Sequence, residues 1–463
     1  MLTRQNLHKY QEDGVRFIIE HPGAALFLEM GLGKSVTTLT AISDLIDDLE
    51  IEHVLVVAPK KVAESTWAQE VAKWEHLKHL SVSVVLGRLK QRQNALKKEA
   101  DIYVTSRDNI VWLLENTDFT FDMLVLDELT SFKSSKAQRF KALRKVRPTI
   151  TRCVGLTGTP TPNGLLDLWA QMYLVDLGES IGRKKSYYVN SFFNVFRFPS
   201  GGCKYTLKKD SEKDIYKMLE KSTLTMKAED YLELPPLVER TVCVPLSSAT
   251  RAAYEAFERD NVLQYMEETK DQPQNIVASS AAALCNKLCQ FANGAVYNEE
   301  HQPIEMHSEK LDMLVELIES ARASGDSVLV FYQFQHDCTR IKARPELKGL
   351  SVRKYEGDAD LVDWNDGKID VLLTHAASTA YGLNLQKGGH IVIWYGTGWN
   401  AELYLQGNAR LYRQGQTLPT TVFRLVADMT MDFRALQAID NKVSGQSAML
   451  SALTLVTQKY INN

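Results

Sequence analysis

The sequence has no run of about eighteen apolar residues, the minimum length of a membrane-spanning helix. Its first ten residues lack the apolar core of a secretory signal peptide. No repeat at a solenoid period and no low-complexity tract is present. These absences argue against a transmembrane helix and a repeat array, and we expect a globular protein of the cytoplasm that makes no membrane contact.

Cysteine is scarce, with six residues in a chain of 463. Only Cys285 and Cys289 are close together, and no second pair or histidine cluster completes a metal-binding set. Their spacing predicts two reduced thiols on one helix, in keeping with a reducing cytoplasm.

A strong excess of one charge is also lacking, because 54 Lys and Arg residues nearly balance 57 Asp and Glu residues. This balance does not indicate a nucleic-acid-binding protein. Two stretches, residues 129–152 and 180–209, nevertheless contain no acidic residue. Their bases are Lys133, Lys136, Arg139, Lys141, Arg144, Lys145, Arg147 and Arg152 in the first, and Arg183, Lys184, Lys185, Arg197, Lys204, Lys208 and Lys209 in the second. Each run suits either phosphate binding or an ordinary solvated helix face.

Short β-branched runs alternate with helical patterns along most of the chain. The predicted strands cover residues 25–28, 54–58, 102–104, 123–126 and 153–156, and then 327–332, 371–374, 390–394 and 421–426. Such alternation is typical of parallel sheets covered by helices on both faces. We therefore predict an α/β protein with one parallel-sheet domain over residues 1–170 and another over residues 235–463. A basic and aromatic insertion, expected to be helical, would occupy residues 171–234, and a helical insertion about residues 245–305.

A glycine-rich loop, Gly31-Leu32-Gly33-Lys34-Ser35, follows the first predicted strand and precedes a helical pattern. Glycines let backbone N–H groups turn toward phosphate oxygens, and the helix N-terminus adds partial positive charge. In this context Lys34 reaches the outer phosphates and Ser35 ligates magnesium. The loop is a candidate nucleotide site, although Leu28 stands where the general pattern has its first glycine.

Two further motifs follow predicted strands. Asp127-Glu128 can hold Mg²⁺ and orient the attacking water, or it can be a helix N-cap. Thr157 and Thr159, in Leu156-Thr157-Gly158-Thr159-Pro160, can couple the γ-phosphate to a neighbouring domain, or the segment can be a plain turn.

Gln406, Arg410 and Arg413 have the spacing of one helical face. Two arginines directed at one point suit a triphosphate, and an arginine finger contributes on the order of 10³-fold or more to hydrolysis. A surface helix rich in ion pairs is the alternative.

As a set, these motifs resemble the superfamily-two helicases and, within them, the Swi/Snf-like ATPases. The matching segments are Leu7-His8-Lys9-Tyr10-Gln11, Met30-Gly31-Leu32-Gly33-Lys34-Ser35, Leu156-Thr157-Gly158-Thr159-Pro160 with Asn163, Gly382-Leu383-Asn384-Leu385, Trp399-Asn400, and Gln406 to Gln416. The resemblance covers nearly the whole chain, and the compact size is similar to that of versions found in bacteriophages.

The resemblance implies two tandem RecA-like domains with ATP and Mg²⁺ in the cleft between them. Gln11 would then bind adenine, and Gly382 would join the nucleotide site. The implied DNA contacts are Pro59, Lys60, Thr105, Ser106 and Thr374, the last in a loop over residues 374–378. Trp67 and Trp74 resemble the helix after the first DNA-contacting loop.

The implied activity is DNA-dependent ATP hydrolysis that drives translocation on double-stranded DNA, with weak sequence preference because phosphate contacts dominate. The alternatives are a helicase that separates DNA or RNA strands, and an ATP-gated DNA clamp. We expect a monomer when the protein is free. The family's Asp-Glu-Ala-His box is replaced by Asp127-Glu128-Leu129-Thr130, so we expect an altered relay between the domains.

Overall fold

The computed structural model describes the whole chain except residues 1, 118, 159, 162, 163, 198–202, 232, 233, 271, 273, 380–382, 442–445, 462 and 463. The chain divides into two compact units, Met1–Leu232 and Glu233–Asn463. Each unit is built on its own parallel sheet, which confirms the predicted class of two parallel-sheet α/β domains. No helix in the described part of the chain is long and apolar enough to cross a membrane.

Unit 1 contains a seven-stranded sheet with the order β3-β4-β2-β5-β6-β1-β9 and a separate two-stranded ribbon, β7-β8. The strands are β1 (Gly23–Leu28), β2 (Val54–Ala58), β3 (Val82–Val84), β4 (Ile102–Ser106), β5 (Met123–Asp127), β6 (Arg152–Thr157), β7 (Phe193–Arg197), β8 (Cys203–Leu207) and β9 (Thr223–Met226). The helices are α1 (Lys9–Glu20), α2 (Lys34–Asp47), α3 (Trp67–Lys73), α4 (Leu89–Lys97), α5 (Ile110–Asn116), α6 (Gln138–Val146), α7 (Leu168–Asp176), α8 (Lys185–Phe192), α9 (Ser211–Leu219) and α10 (Ala228–Tyr231).

Unit 2 contains a six-stranded sheet with the order β10-β17-β16-β13-β15-β14 and a small antiparallel pair, β11-β12. The strands are β10 (Leu237–Val244), β11 (Ala295–Tyr297), β12 (Pro303–Glu305), β13 (Val328–Tyr332), β14 (Val352–Lys354), β15 (Val371–His375), β16 (Ile391–Trp394) and β17 (Thr420–Ala427). The helices are α11 (Ser248–Thr269), α12 (Gln274–Ala292), α13 (Glu309–Ala323), α14 (Gln335–Lys342), α15 (Asp358–Asn365), α16 (Ala376–Thr379), α17 (Ala401–Asn408), α18 (Met431–Asp440) and α19 (Gln446–Ile461).

Both sheets are buried on their two faces, because helices pack on each side. In β13, Val328 and Val330 belong to one apolar cluster, whereas Leu329 and Phe331 belong to another on the opposite face. Successive side chains of a strand point to opposite faces, so a strand covered on both sides must be apolar throughout. This is why the β-branched runs were visible in the sequence.

The segment over residues 171–234 is more than the expected helical insertion. It contains helices, the β7-β8 ribbon and also β9, which pairs in parallel with β1 and completes the main sheet. Residues 376–379, expected in a loop, form the short helix α16. The strands β3, β9, β10 and β14 were not predicted, because they lie at or next to sheet edges and are short or largely exposed.

Cys285 and Cys289 lie buried on α12 as free thiols, as their spacing predicted. Burial raises the pKa of both thiols. Thiols that are buried and protonated are poor nucleophiles, so their role is to fill the core.

One base of the first basic run is structural. Arg147 is only 3% exposed, and its guanidinium donates hydrogen bonds to three main-chain carbonyls, those of Leu174 (2.5 Å), Ile150 (2.6 Å) and Val175 (2.7 Å). Two of these carbonyls belong to the last turn of α7, where no intrahelical donor is available. Arg147 therefore fastens the end of α7 and is not part of a phosphate-binding surface.

We predict that Arg147→Met destabilises unit 1 by about 3 kcal/mol, because three buried carbonyls lose their donors. Lys141→Met, an exposed site in the same basic run, should change stability by less than about 0.5 kcal/mol. Urea unfolding followed by tryptophan fluorescence measures both, and equal effects would show that Arg147 is not an anchor.

Candidate functional site

The glycine-rich loop connects the end of β1, at Leu28, to the start of α2, at Lys34. Gly31 and Gly33 have φ angles of 90° and 75°, in the left-handed region that other residues rarely adopt. The first turn of α2 leaves backbone N–H groups without intrahelical acceptors. The loop thus has the backbone geometry and partial positive charge of a phosphate-binding site.

The Lys34 ammonium is held at this loop. Its Nζ donates hydrogen bonds to the carbonyl oxygens of Leu28 (2.8 Å) and Glu29 (3.4 Å). Ser35 follows in the first turn of α2 and is partly exposed. A cation and a hydroxyl therefore flank the turned backbone, as a polyphosphate ligand requires.

Gln11 packs directly on the loop. Its side-chain oxygen accepts a hydrogen bond from the backbone N–H of His8 (2.9 Å), and its amide nitrogen donates to the carbonyl of Leu32 (3.3 Å). A Cβ atom at Gly33 would lie 2.2 Å from that nitrogen, so any other residue there would displace the Gln11 side chain besides adopting an unfavourable positive φ. The structure thus brings Gln11 to the nucleotide loop, and the predicted adenine contact stays a prediction.

Aromatic rings lie beside Gln11, and the sequence did not indicate them as a group. The ring centroids of Tyr10 and His8 are 5.3 Å apart in a stacked pair, and those of Tyr10 and Tyr231 are 5.1 Å apart. Tyr231 is 45% exposed and comes from α10, more than two hundred residues later in the chain. Only the fold could bring it here.

Asp127 is the last residue of β5, and its environment disfavours its charge. Burial raises the pKa of Asp127 to about 6, and the neighbouring Glu128 adds to the rise. The indole N–H of Trp67, which donates to Asp127 Oδ2 at 3.1 Å, and the charge of Lys34 act in the opposite direction. A carboxylate in this condition gains from binding a cation.

Glu128 is held by two threonine hydroxyls. The hydroxyls of Thr130 and Thr157 donate to the same oxygen, Oε1, at 3.1 and 3.2 Å. Glu128 also has a φ of 60°, an uncommon backbone conformation for a residue with a side chain. The two hydrogen bonds therefore orient the Glu128 carboxylate. Neither of them involves Oε2, so this second oxygen can bind another group.

The altered Asp127-Glu128-Leu129-Thr130 box acquires a structural role from this geometry. Thr130, one of the two residues that depart from the family pattern, is buried and contacts Glu128 within unit 1. Thr157 reaches the same carboxylate from β6. Thr159 and Asn163 lie outside the described residues, so their predicted roles stay predictions.

Trp67 begins helix α3 and Trp74 follows its last residue, so both lie at the helix after β2, as the resemblance implied. Both are buried, and neither indole extends into solvent. Trp67 bonds Asp127, whereas the Trp74 indole donates to Glu70 at 2.8 Å. Trp67 thus supports the acidic site, a role that no local sequence pattern indicates.

The candidate DNA contacts lie at the carboxyl ends of strands. In unit 1, Pro59 is buried just after β2, the Lys60 side chain is 72% exposed, and Ser106 is buried at the end of β4. Thr105 is fully buried, and its hydroxyl donates to the carbonyl of Val85 at 3.1 Å. Lys60 is therefore the member of this set whose side chain can reach a phosphate.

In unit 2, Thr374 is buried in β15, and its hydroxyl lies 3.5 Å from the carbonyl oxygen of His375. Its side chain is therefore enclosed by the fold, as that of Thr105 is in unit 1.

The two arginines of unit 2 converge, though not on a helix. Helix α17 contains Gln406 but ends at Asn408, so Arg410 and Arg413 lie in the turns that follow and the helical prediction is wrong for them. Both guanidinium groups donate to the carbonyl of Leu383, at 3.3 and 3.4 Å. The two side chains therefore meet through turns of the chain, although they were expected to meet on one face of a helix.

Arg410 is also part of the framework of unit 2. It is 8% exposed, and its Nε donates to the carbonyl of Gln406 at 3.1 Å. The Gln406 amide in turn donates to Glu402 at 3.1 Å. Gly382, the neighbour of Leu383, lies outside the described residues.

Oxygen donors suit magnesium at the nucleotide loop. Within the described residues no group of three or more His, Cys, Asp or Glu side chains could hold a metal by itself. Ser35 and Asp127 provide hard oxygen ligands, and the Asp127 carboxylate gains from a nearby cation. Mg²⁺ is usually held by one or two protein groups together with waters and substrate phosphates. The residues present therefore fit a magnesium ion that arrives with a nucleotide.

Two family models match the chain, the SNF2-related domain over residues 10–293 and the helicase conserved C-terminal domain over residues 309–415. Protein p41 of Acyrthosiphon pisum secondary endosymbiont phage 1 is 32% identical, over 96% of this chain and 98% of that protein. The CHD3-type chromatin-remodeling factor CHR7 of Arabidopsis thaliana is 24% identical, over 94% of this chain and 37% of its own length.

The ATP-dependent helicase/translocase YwqA of Bacillus subtilis is 23% identical, over 98% of this chain and 50% of its own length. This chain thus spans nearly all of the phage protein but half or less of the two cellular relatives. Among solved structures, the Sulfolobus solfataricus SWI2/SNF2 ATPase core in complex with dsDNA is 21% identical, with a TM-score of 0.45 over 98% of this chain and 95% of that one.

The first family model covers more than half of the chain, and the phage relative matches almost from end to end. The motifs that the sequence showed in order fall within these two matches. This chain belongs to the SNF2-related family of helicase-like ATPases.

Proposed function

We propose that this chain is a DNA-dependent ATPase that translocates on double-stranded DNA, and that ATP hydrolysis drives DNA remodelling or displaces bound proteins. The observation that carries the proposal is the Glu128 carboxylate, fixed by two hydroxyls beside Asp127 and the Lys34 loop. A fixed, partly desolvated carboxylate next to a phosphate-binding loop is what activation of a water molecule requires.

In this proposal Lys34 and the loop N–H groups bind the β- and γ-phosphates, and Gln11 reads adenine. Ser35 and Asp127 hold magnesium, which when bound neutralises charge on the phosphate oxygens. Glu128 accepts a proton from the attacking water through Oε2, since Oε1 already accepts two hydrogen bonds.

The arginines of unit 2 would act on the same nucleotide. Arg413 is the better candidate for the finger, because it is partly exposed, whereas Arg410 is buried and bonds the main chain. Arg410 would then hold Leu383 and the turn that carries Arg413.

Contacts with DNA would be made chiefly to phosphates. Lys60 and the exposed bases of α6, namely Lys141, Arg144 and Lys145, support this part of the proposal. Contacts of this kind give weak sequence preference and a strong dependence on salt.

ATP hydrolysis measured with single-stranded, double-stranded and branched DNA and with RNA tests the proposed activity. Displacement of a triplex-forming strand without separation of the duplex would support translocation. Release of a labelled strand from a forked duplex would favour a strand-separating helicase, and DNA binding without turnover would favour a clamp.

Lys34→Ala and Glu128→Gln should each lower DNA-stimulated kcat by more than about 100-fold, because one removes the phosphate-binding cation and the other the base. Glu128→Gln should still bind ATP. Glu115→Gln, at an exposed site on α5, is the matched control. Near-normal turnover in both active-site variants would rule out the proposed chemistry.

Thr130→Val should lower kcat about 10-fold to 100-fold with little change in the KM for ATP, because Glu128 loses one of its two orienting bonds. Thr130→Ser keeps the hydroxyl and should restore most of the rate. Steady-state kinetics with both variants checks this, and a matching loss in Thr130→Ser would indicate a packing role for the threonine.

Asp127→Asn should stabilise the protein at neutral pH, without Mg²⁺ and nucleotide, while abolishing hydrolysis. The Asp127 carboxyl has a pKa of about 6 in the folded protein and about 4 in the unfolded one. Above pH 6 the folded protein therefore carries a negative charge at a buried position that disfavours it, and this lowers its stability. At about 1.4 kcal/mol per pKa unit, the gain is up to about 3 kcal/mol. It should shrink as the pH falls and vanish below about pH 4, where both states are protonated.

Melting temperatures of Asp127→Asn and of the parent protein, measured between pH 4 and 8, give this gain directly. Asp108→Asn is the control, because the Asp108 side chain is 74% exposed. A gain that does not vary with pH would show that the Asp127 charge is not its cause.

A further inference from the structure

The β7-β8 ribbon of unit 1 is exposed on both faces. Among the described residues its two strands pair only with each other, and the ribbon is separate from the seven-stranded sheet. Among its described side chains, only Phe193 is buried. A lone two-stranded ribbon is marginally stable in water, so large apolar side chains left in solvent here need an explanation.

The exposed side chains include an aromatic ring on each face. Val195 pairs with Tyr205, and the adjacent Phe196 points to the opposite face. Phe196 is 61% exposed, Tyr205 41% and Val195 37%. Each face of the ribbon therefore presents an apolar ring to solvent.

The charge of the segment restricts what that ligand is. Residues 180–209 contain seven bases and no acid. Arg197 lies two residues from Val195 and thus on the same face as Tyr205. Exposed rings among cations, without carboxylates, suit unpaired nucleotides, whose bases stack and whose phosphates are negative.

The two basic runs, separate in the sequence, come into contact at the start of α8. Lys185 Nζ lies 3.4 Å from the hydroxyl oxygen of Ser135. Burial lowers the pKa of Lys185, and the nearby charge of Lys136 lowers it further, whereas Asp167 acts in the opposite direction. The segment before α6, which belongs to the first basic run, therefore contacts the start of α8 in the second run.

We propose that the β7-β8 ribbon binds unpaired bases at the point where a DNA duplex opens, with Phe196 and Tyr205 as stacking platforms. The proposal rests on the DNA-dependent function above and makes it more specific, because forked or branched DNA becomes the preferred activator. Base–aromatic stacking contributes about 1–3 kcal/mol per base, enough for a measurable preference.

The test compares a forked duplex with a blunt duplex of equal length in DNA-stimulated ATP hydrolysis. The wild-type protein should half-saturate at a lower concentration of forked DNA. In the double variant Phe196→Ala/Tyr205→Ala that preference should fall about 10-fold, or further if both rings stack. The fluorescence of 2-aminopurine at the fork should be quenched by the wild type and less by the variant.

Two controls separate the possible causes. Phe196→Leu/Tyr205→Leu keeps apolar surface but removes the rings, so it should behave like the alanine variant. Tyr216→Ala removes an aromatic residue that is 47% exposed on α9 and should keep the wild-type preference.

Equal affinity of the wild type for forked and blunt DNA, or an unchanged preference in both double variants, would overturn the role of the ribbon and leave the proposed ATPase intact. Absence of stimulation by any DNA would overturn the proposed function itself, and the ribbon proposal with it.

Discussion

The parallel order of β1, β6 and β5 is the constraint on which the candidate site depends. These strands are neighbours in the sheet, and all run in the same direction. Their carboxyl ends therefore meet at one edge, which is where ligands bind in sheets of this kind. The glycine loop follows β1, Asp127 ends β5 and Thr157 ends β6. Three motifs far apart in the chain are close in space for this reason.

At that edge, repulsion between two carboxylates is combined with hydrogen bonds that stabilise them. Asp127 and Glu128 are adjacent carboxylates, and burial and mutual repulsion raise the pKa of Asp127. Trp67, Thr130 and Thr157 supply hydrogen bonds that hold the pair in place. In the proposed function, a cation and a polyphosphate bound at this site would relieve that repulsion.

The positive charges of unit 1 do not all serve the same purpose. Arg147 lies in the core and fastens α7 through three carbonyls. Lys141 and Lys145 lie on the surface of α6, and Lys185, at the start of α8, contacts Ser135 in the segment before α6. A run of bases in a sequence therefore contains structural and surface residues together, and burial is what separates them.

The sequence by itself determined the two parallel-sheet domains, the glycine loop and the acid pair. Each rests on local rules, namely apolar strands buried on two faces and glycines at positive φ. Only the tertiary structure decided that Thr130 supports Glu128, that Trp67 bonds Asp127 and that Tyr231 lies beside Tyr10. It also placed Arg410 and Arg413 in turns and exposed the β7-β8 ribbon. These features depend on which distant segments pack together, and side-chain contacts between such segments leave no periodic signal in the chain.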